Sequence, residues 1–135
     1  MGQQQLLLIV LGVIIVGIAV VVGINVFTAS SVNANRDAVI SDLTTISAMA
    51  QQYYRKPIAM GGGGNLFTGF TIPTSLLQTA NMSANVVPTV TAQGITFVAT
   101  GTENDPSNGD AKVGITMVIT PNAITSTTIA TGGGS

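Results

Sequence analysis

The sequence predicts an α+β fold: a long N-terminal α-helix over about residues 3–56, with a small C-terminal antiparallel β-sheet domain packed on its second half. Three observations lead there. Residues 1–27 hold no charged side chain, and the apolar run Leu6 to Phe27 continues without a proline into an amphipathic stretch. Pro57, after Arg55 and Lys56, gives a stop signal with cations at the negative end of the helix dipole. Beyond residue 95, apolar residues alternate with polar ones, the period of a strand with one buried face. The expected organisation is therefore an apolar helix over 1–28, its amphipathic continuation over 29–56, a glycine-rich connection over 57–73 and a β-rich head over 74–135.

Leu6 to Phe27 reads LLLIVLGVIIVGIAVVVGINVF, long enough to cross a bilayer of ~30 Å hydrocarbon thickness as a slightly tilted helix. A helix reaching residue 56 would be ~80 Å long, so its second half must project into water or protein. A secretory signal carries basic residues before a short apolar core, and nothing before Arg36 is basic. The nearby charges, Arg36, Asp37 and Asp42, all follow the span, so orientation is read from the bulk of the chain. Met1–Gln5 is expected at the cytoplasmic face and the head on the far side. The many β-branched residues are compatible with a helix where lipid offers the backbone no other partner. Gly12, Gly17 and Gly23 lack the four-residue spacing of a tight dimer motif.

In the amphipathic half, Val39, Leu43, Ile46, Ala50 and Tyr53 recur at spacings of 4, 3, 4 and 3, one stripe expected to hold the head. Asn35, Asp42, Thr45 and Gln52 are assigned to the opposite face. Tyr53 and Tyr54 read as half-buried packing residues with hydroxyls reaching water.

After Met60, GGGG reads as a flexible link, since no Gly-Lys-Ser/Thr follows to cradle a phosphate. Thr74–Ala80 suggests a helical turn, and Asn85–Thr91 an edge strand interrupted by Pro88. Ile95, Phe97 and Ala99 mark one strand, and Val113, Ile115, Met117 and Ile119 a second. The two form a hairpin across the turn-rich loop GTENDPSNGDA, and a third strand is expected at about Ala123–Thr131.

Charged residues make up 7% of the chain and the net charge is −1, which leaves no basic patch for nucleic acid. Cysteine and histidine are absent, which removes disulfides, thiol nucleophiles, imidazole bases and most transition-metal sites. Glu103, Asp105 and Asp110 do not follow an EF-hand spacing and read as a solvated turn. No catalytic residue, metal ligand or cofactor is assigned, and an enzyme is not expected. Asn81-Met82-Ser83 matches an N-glycosylation sequon, and Thr127 and Thr128 offer hydroxyls for sugar, so Asn81, Thr127 and Thr128 are the candidate glycan acceptors.

In layout the whole chain resembles the type IV pilin and pseudopilin family: a terminal apolar helix, NRDAVISDLTTISAMAQQYYRKP, a glycine-bearing loop and a short β-rich region. The most specific piece is Asp37 to Tyr54, which is similar to a pattern of the type DAxxSDLxxxxxxAQxYY in the second half of the pilin helix. The resemblance implies a structural subunit of an extracellular helical filament. The resemblance further implies that such a subunit would be membrane-anchored before assembly and handled by a motor ATPase and a platform protein, with a prepilin peptidase as a further candidate partner. Gln5, Leu7, Leu8, Leu11, Ile14, Ile15, Ile18 and Val22 would then line the membrane segment and filament core. A short secretion-system pseudopilin and a monomeric membrane-anchored surface binding module are the alternatives.

Two departures from the family pattern stand out. Gln5 replaces the family's glutamate, if Met1 is the mature start; it can accept a hydrogen bond but cannot form the ion pair with a neighbour's terminal amine. Only Met1 and Gly2 precede Gln3, where the family has a short basic leader.

Overall fold

The structure, a computed structural model, describes residues 2–130. One helix, α1 (Gly2–Arg55), runs unbroken for 54 residues, and a single turn of helix, α2 (Thr74–Leu77), follows the connecting loop. The head is a four-stranded antiparallel meander, β1 (Val87–Val90), β2 (Ile95–Asp105), β3 (Ala111–Ile119) and β4 (Ile124–Ile129), in that spatial order. The long apolar helix with a small antiparallel sheet is a pilin-like architecture. The last residue of the expected third strand, Thr131, and the glycine-rich tail behind it lie outside the described residues.

The second half of α1 lies across one face of the sheet. Val39, Leu43, Ile46 and Ala50 are fully buried there, with Val32 nearly so. Against them stand the inward residues of the two central strands, paired across the ladder as Ile95 with Ile119, Phe97 with Met117 and Ala99 with Ile115. Phe67, Phe70 and Ile72 of the connecting loop close the end of this core nearest residue 55. Tyr53 meets Phe70 edge-on at 5.6 Å and Tyr54 tilts over Phe67 at 4.8 Å. Both hydroxyls end on protein acceptors rather than water alone: Tyr53 donates to the Thr68 carbonyl at 3.0 Å and Tyr54 to Gln93 Oε1 at 3.1 Å.

β1 is an edge strand, which is where Pro88, with no amide to donate, can be accommodated. β2 extends through Asp105, well into the stretch expected as an open loop, and β3 begins at that stretch's last residue, Ala111. The reversal is confined to a 3₁₀ turn, Pro106–Asn108, closed by Gly109 and Asp110, both with positive φ. Asp105 caps that turn by accepting from the Ser107 amide at 2.9 Å.

The four glycines are not a flexible link. Pro57 has no amide hydrogen, so the Tyr53 carbonyl loses its regular helical donor. The chain folds back to supply others. The Gly63 amide donates to the Tyr53 carbonyl at 2.8 Å, Gly64 to Lys56 at 3.0 Å and Asn65 to Tyr54 at 2.8 Å. A β-carbon at Gly62 would overlap the Lys56 carbonyl, and one at Gly63 would overlap that of Leu66. The run of glycine thus reflects close backbone approach at a helix end, a requirement that composition alone does not separate from flexibility.

Candidate functional site

The first 29 described residues, Gly2–Ser30, are all exposed, and burial begins at Val32. Between Leu6 and Phe27, seventeen large apolar side chains stay more than half exposed, from 53% at Ile14 and Val22 to 76% at Phe27. At ~1.5–3 kcal/mol for each such side chain removed from water, leaving the rod wet would forgo tens of kcal/mol. A surface this large and this apolar is a contact surface for lipid or protein. Its mean hydropathy reaches 3.3 over the best 18-residue window, so by length and composition it can cross a membrane.

Gln5, Leu7, Leu8, Leu11, Ile14, Ile15, Ile18 and Val22 all lie on this exposed rod and touch nothing in the head. Gly12, Gly17 and Gly23 face open space, where an added β-carbon meets no atom within 4 Å. The rod is apolar on every side, which is the pattern of a helix surrounded by an apolar medium.

Where the rod meets the head, polar side chains do the joining. Asn35 is 8% exposed and continues the buried stripe, since residues 35 and 39 stand one helical turn apart. Assigning it to the opposite face on polarity alone is incorrect. Its partner is an irregularity in β2, whose register with β3 shifts between Thr100 and Asn104. Asn35 Oδ1 accepts from the amides of Thr102 at 3.2 Å and Glu103 at 3.4 Å, while its Nδ2 donates to the Asn81 carbonyl at 3.0 Å. The side chain thereby pairs backbone groups that the bulge leaves unmatched. A β-carbon at Gly101 would overlap Asn35 Oδ1, so glycine there admits the close approach.

Asp105 also departs from the solvated turn that sequence suggests. It is 1% exposed, and both Nε and Nη2 of Arg36 donate to its Oδ2, the former at 3.1 Å. The Ser107 hydroxyl donates to its other oxygen at 2.6 Å. Burial alone would push the carboxyl's pKa up; the hydrogen bonds from Arg36 and Ser107, with the guanidinium charge, outweigh it and hold the group below the usual carboxylate range. Glu103 and Asp110 remain exposed, and no group of three or more metal-ligating side chains occurs among the described residues.

Asp42 is half-buried and ties α1 to the segment before β1, accepting from Thr79 Oγ1 at 2.6 Å and from Asn81 Nδ2 at 3.1 Å. Of the four residues assigned to the outer helix face, only Thr45 and Gln52 are exposed. The nitrogen on Asn81 that would carry a glycan is thus engaged with Asp42, and Met82 inside the sequon is 3% exposed. Thr127 and Thr128 are exposed on β4.

Sequence could have revealed Asn35 through its helical phase. The Arg36–Asp105 pair joins positions 69 residues apart and leaves no local signal. No family model, curated protein or solved structure matches this chain.

Proposed function

We propose that this chain is the structural subunit of an extracellular helical filament of the type IV pilus kind. It waits in a membrane with Leu6–Phe27 in lipid and polymerises by gathering those segments from many copies into a central bundle. The observation that carries this reading is the continuity of α1: the same helix is wholly exposed and apolar over its first half and fully buried at Val39, Leu43, Ile46 and Ala50 in its second. A helix built so presents a head on a greasy rod, which suits a polymer with rods inside and heads outside.

The step from lipid to bundle gains little from hydrophobicity, because lipid is as apolar as leucine; packing and hydrogen bonds supply the gain. That accords with delivery by an assembly motor and platform. Gly12, Gly17 and Gly23, although not at the four-residue spacing of a tight dimer motif, are small enough to let rods approach closely. Gln5 would register neighbours by a neutral hydrogen bond rather than an ion pair.

Electron microscopy of fibres sheared from producing cells, with mass spectrometry of the intact subunit, tests the reading. Fibres made chiefly of this chain are expected. Detergent-extracted copies that stay single on concentration, with no fibres on cells, would refute it and favour the anchored module.

A further inference from the structure

The head carries its exposed charge at its two ends, net negative at one and positive at the other. Because Arg36 grips Asp105, the β2–β3 turn sits level with the start of the buried helix, about 28 Å along α1 from Arg55 at 1.5 Å per residue. At this rod-side end Asp37, Glu103 and Asp110 are exposed. Their nearest unpaired cation is Lys112, which donates to the Thr102 carbonyl at 2.8 Å. At the far end the charges are Arg55 and Lys56, both exposed, with Arg55 making only a 3.4 Å contact to the Pro121 carbonyl.

Shape differs in the same sense. The far end holds a groove of about 580 Å³ lined by Gln51, Gln52, Arg55, Lys56 and Met60. Met60 within it is 67% exposed and Ile58 outside it 73%, so apolar surface stands next to the two cations. The rod-side end presents the narrow turn Pro106–Asp110, flanked by the free carboxylates.

We infer that the cationic groove around Arg55 and Lys56 receives the acidic β2–β3 turn of a second copy, stacking heads end to end. Opposite ends of one molecule meeting make a heterologous contact, which propagates instead of closing into a dimer. The inference rests on the filament reading and adds to it a second interface, remote from the apolar rods. Complementary charge sets register and direction, and its contribution falls with salt.

Zero-length carbodiimide coupling in native fibres tests this on the unaltered chain. Lys56 and Glu103 lie at opposite ends of one head, so an amide between Lys56 and Glu103 or Asp110 must join two copies. We expect that crosslink in fibres and its absence in dilute detergent-solubilised subunits. Fibres in which Lys56 couples to neither carboxylate, or only to other proteins, overturn the inference and leave the filament reading intact; absence of fibres removes both.

Charge reversal gives the second arm. Arg55→Glu with Lys56→Glu should cut fibre yield roughly tenfold at low salt. Adding Glu103→Lys with Asp110→Lys should restore it, while the head stays folded throughout and loses only the few degrees of melting temperature that replacing two cations at the negative end of the helix dipole brings. Unchanged fibre yield in the first pair, or no recovery in the combined variant with heads still folded, would overturn the contact.

Discussion

Arg36 and Asp105, 69 residues apart, form an ion pair in which the carboxylate side chain is 2% exposed and the guanidinium 20%. The pair fastens the β2–β3 turn to the helix at the point where the apolar rod leaves the head.

Asp105 holds its proton less readily in the fold than in the unfolded chain, so its contribution is fully present above the ordinary aspartate value of about 3.9. It is lost as pH falls through the lower folded value. Asp105→Asn should therefore destabilise the head by about 1–3 kcal/mol near neutrality and flatten the loss of stability below about pH 4. Denaturant unfolding of the full chain in detergent across pH 2–7 checks it; an unchanged acid limb would contradict the pair's role.

Asn35→Leu should cost about 1–3 kcal/mol, because it strands the Thr102 and Glu103 amides and the Asn81 carbonyl. Amide hydrogen exchange is expected to accelerate at Thr102 and Glu103 first. Protection that is unaltered there would mean the bulge is satisfied in some other way.

Gly63→Ala is expected to destabilise the head by about 1–3 kcal/mol, since its β-carbon would overlap the Leu66 carbonyl. Gly17→Ala, which meets nothing within 4 Å, should leave head stability untouched. Thermal unfolding followed by tyrosine near-ultraviolet circular dichroism compares the two. Equal melting temperatures would show the glycine tract to be a loose tether after all.

Leu11→Arg and Ile15→Arg place a charge on the rod well before Val32, the first core residue. On the proposed filament reading, both variants should abolish fibres while the head melts as in the parent chain. Normal fibres from either would refute the buried bundle.

Intact-mass measurement should find no glycan on Asn81, whose Nδ2 is bonded to Asp42. A glycosylated Asn81 in folded protein would require that contact to be broken.

Elements governed by local pattern were legible in the sequence. The apolar run, the buried stripe of α1, the stop at Pro57 and the alternation in β2 and β3 each follow from periodicity over a few residues. What polarity misassigned has a long-range cause: Asn35 is buried because β2 bulges beside it, and Asp105 because Arg36 reaches it. The glycine tract was misread because its purpose depends on carbonyls freed by Pro57 in the helix before it. The apolar rod itself was fully legible, since its character is compositional.

Because α1 passes from rod to head without a break, there is no hinge between Phe27 and Val32 to absorb load. Tension on the apolar half is delivered straight through consecutive backbone hydrogen bonds to the residues seated on the sheet. In a fibre of the proposed kind, a tug would be felt first as shear between helix and strands, making the Val39–Ala50 seat its mechanical fuse.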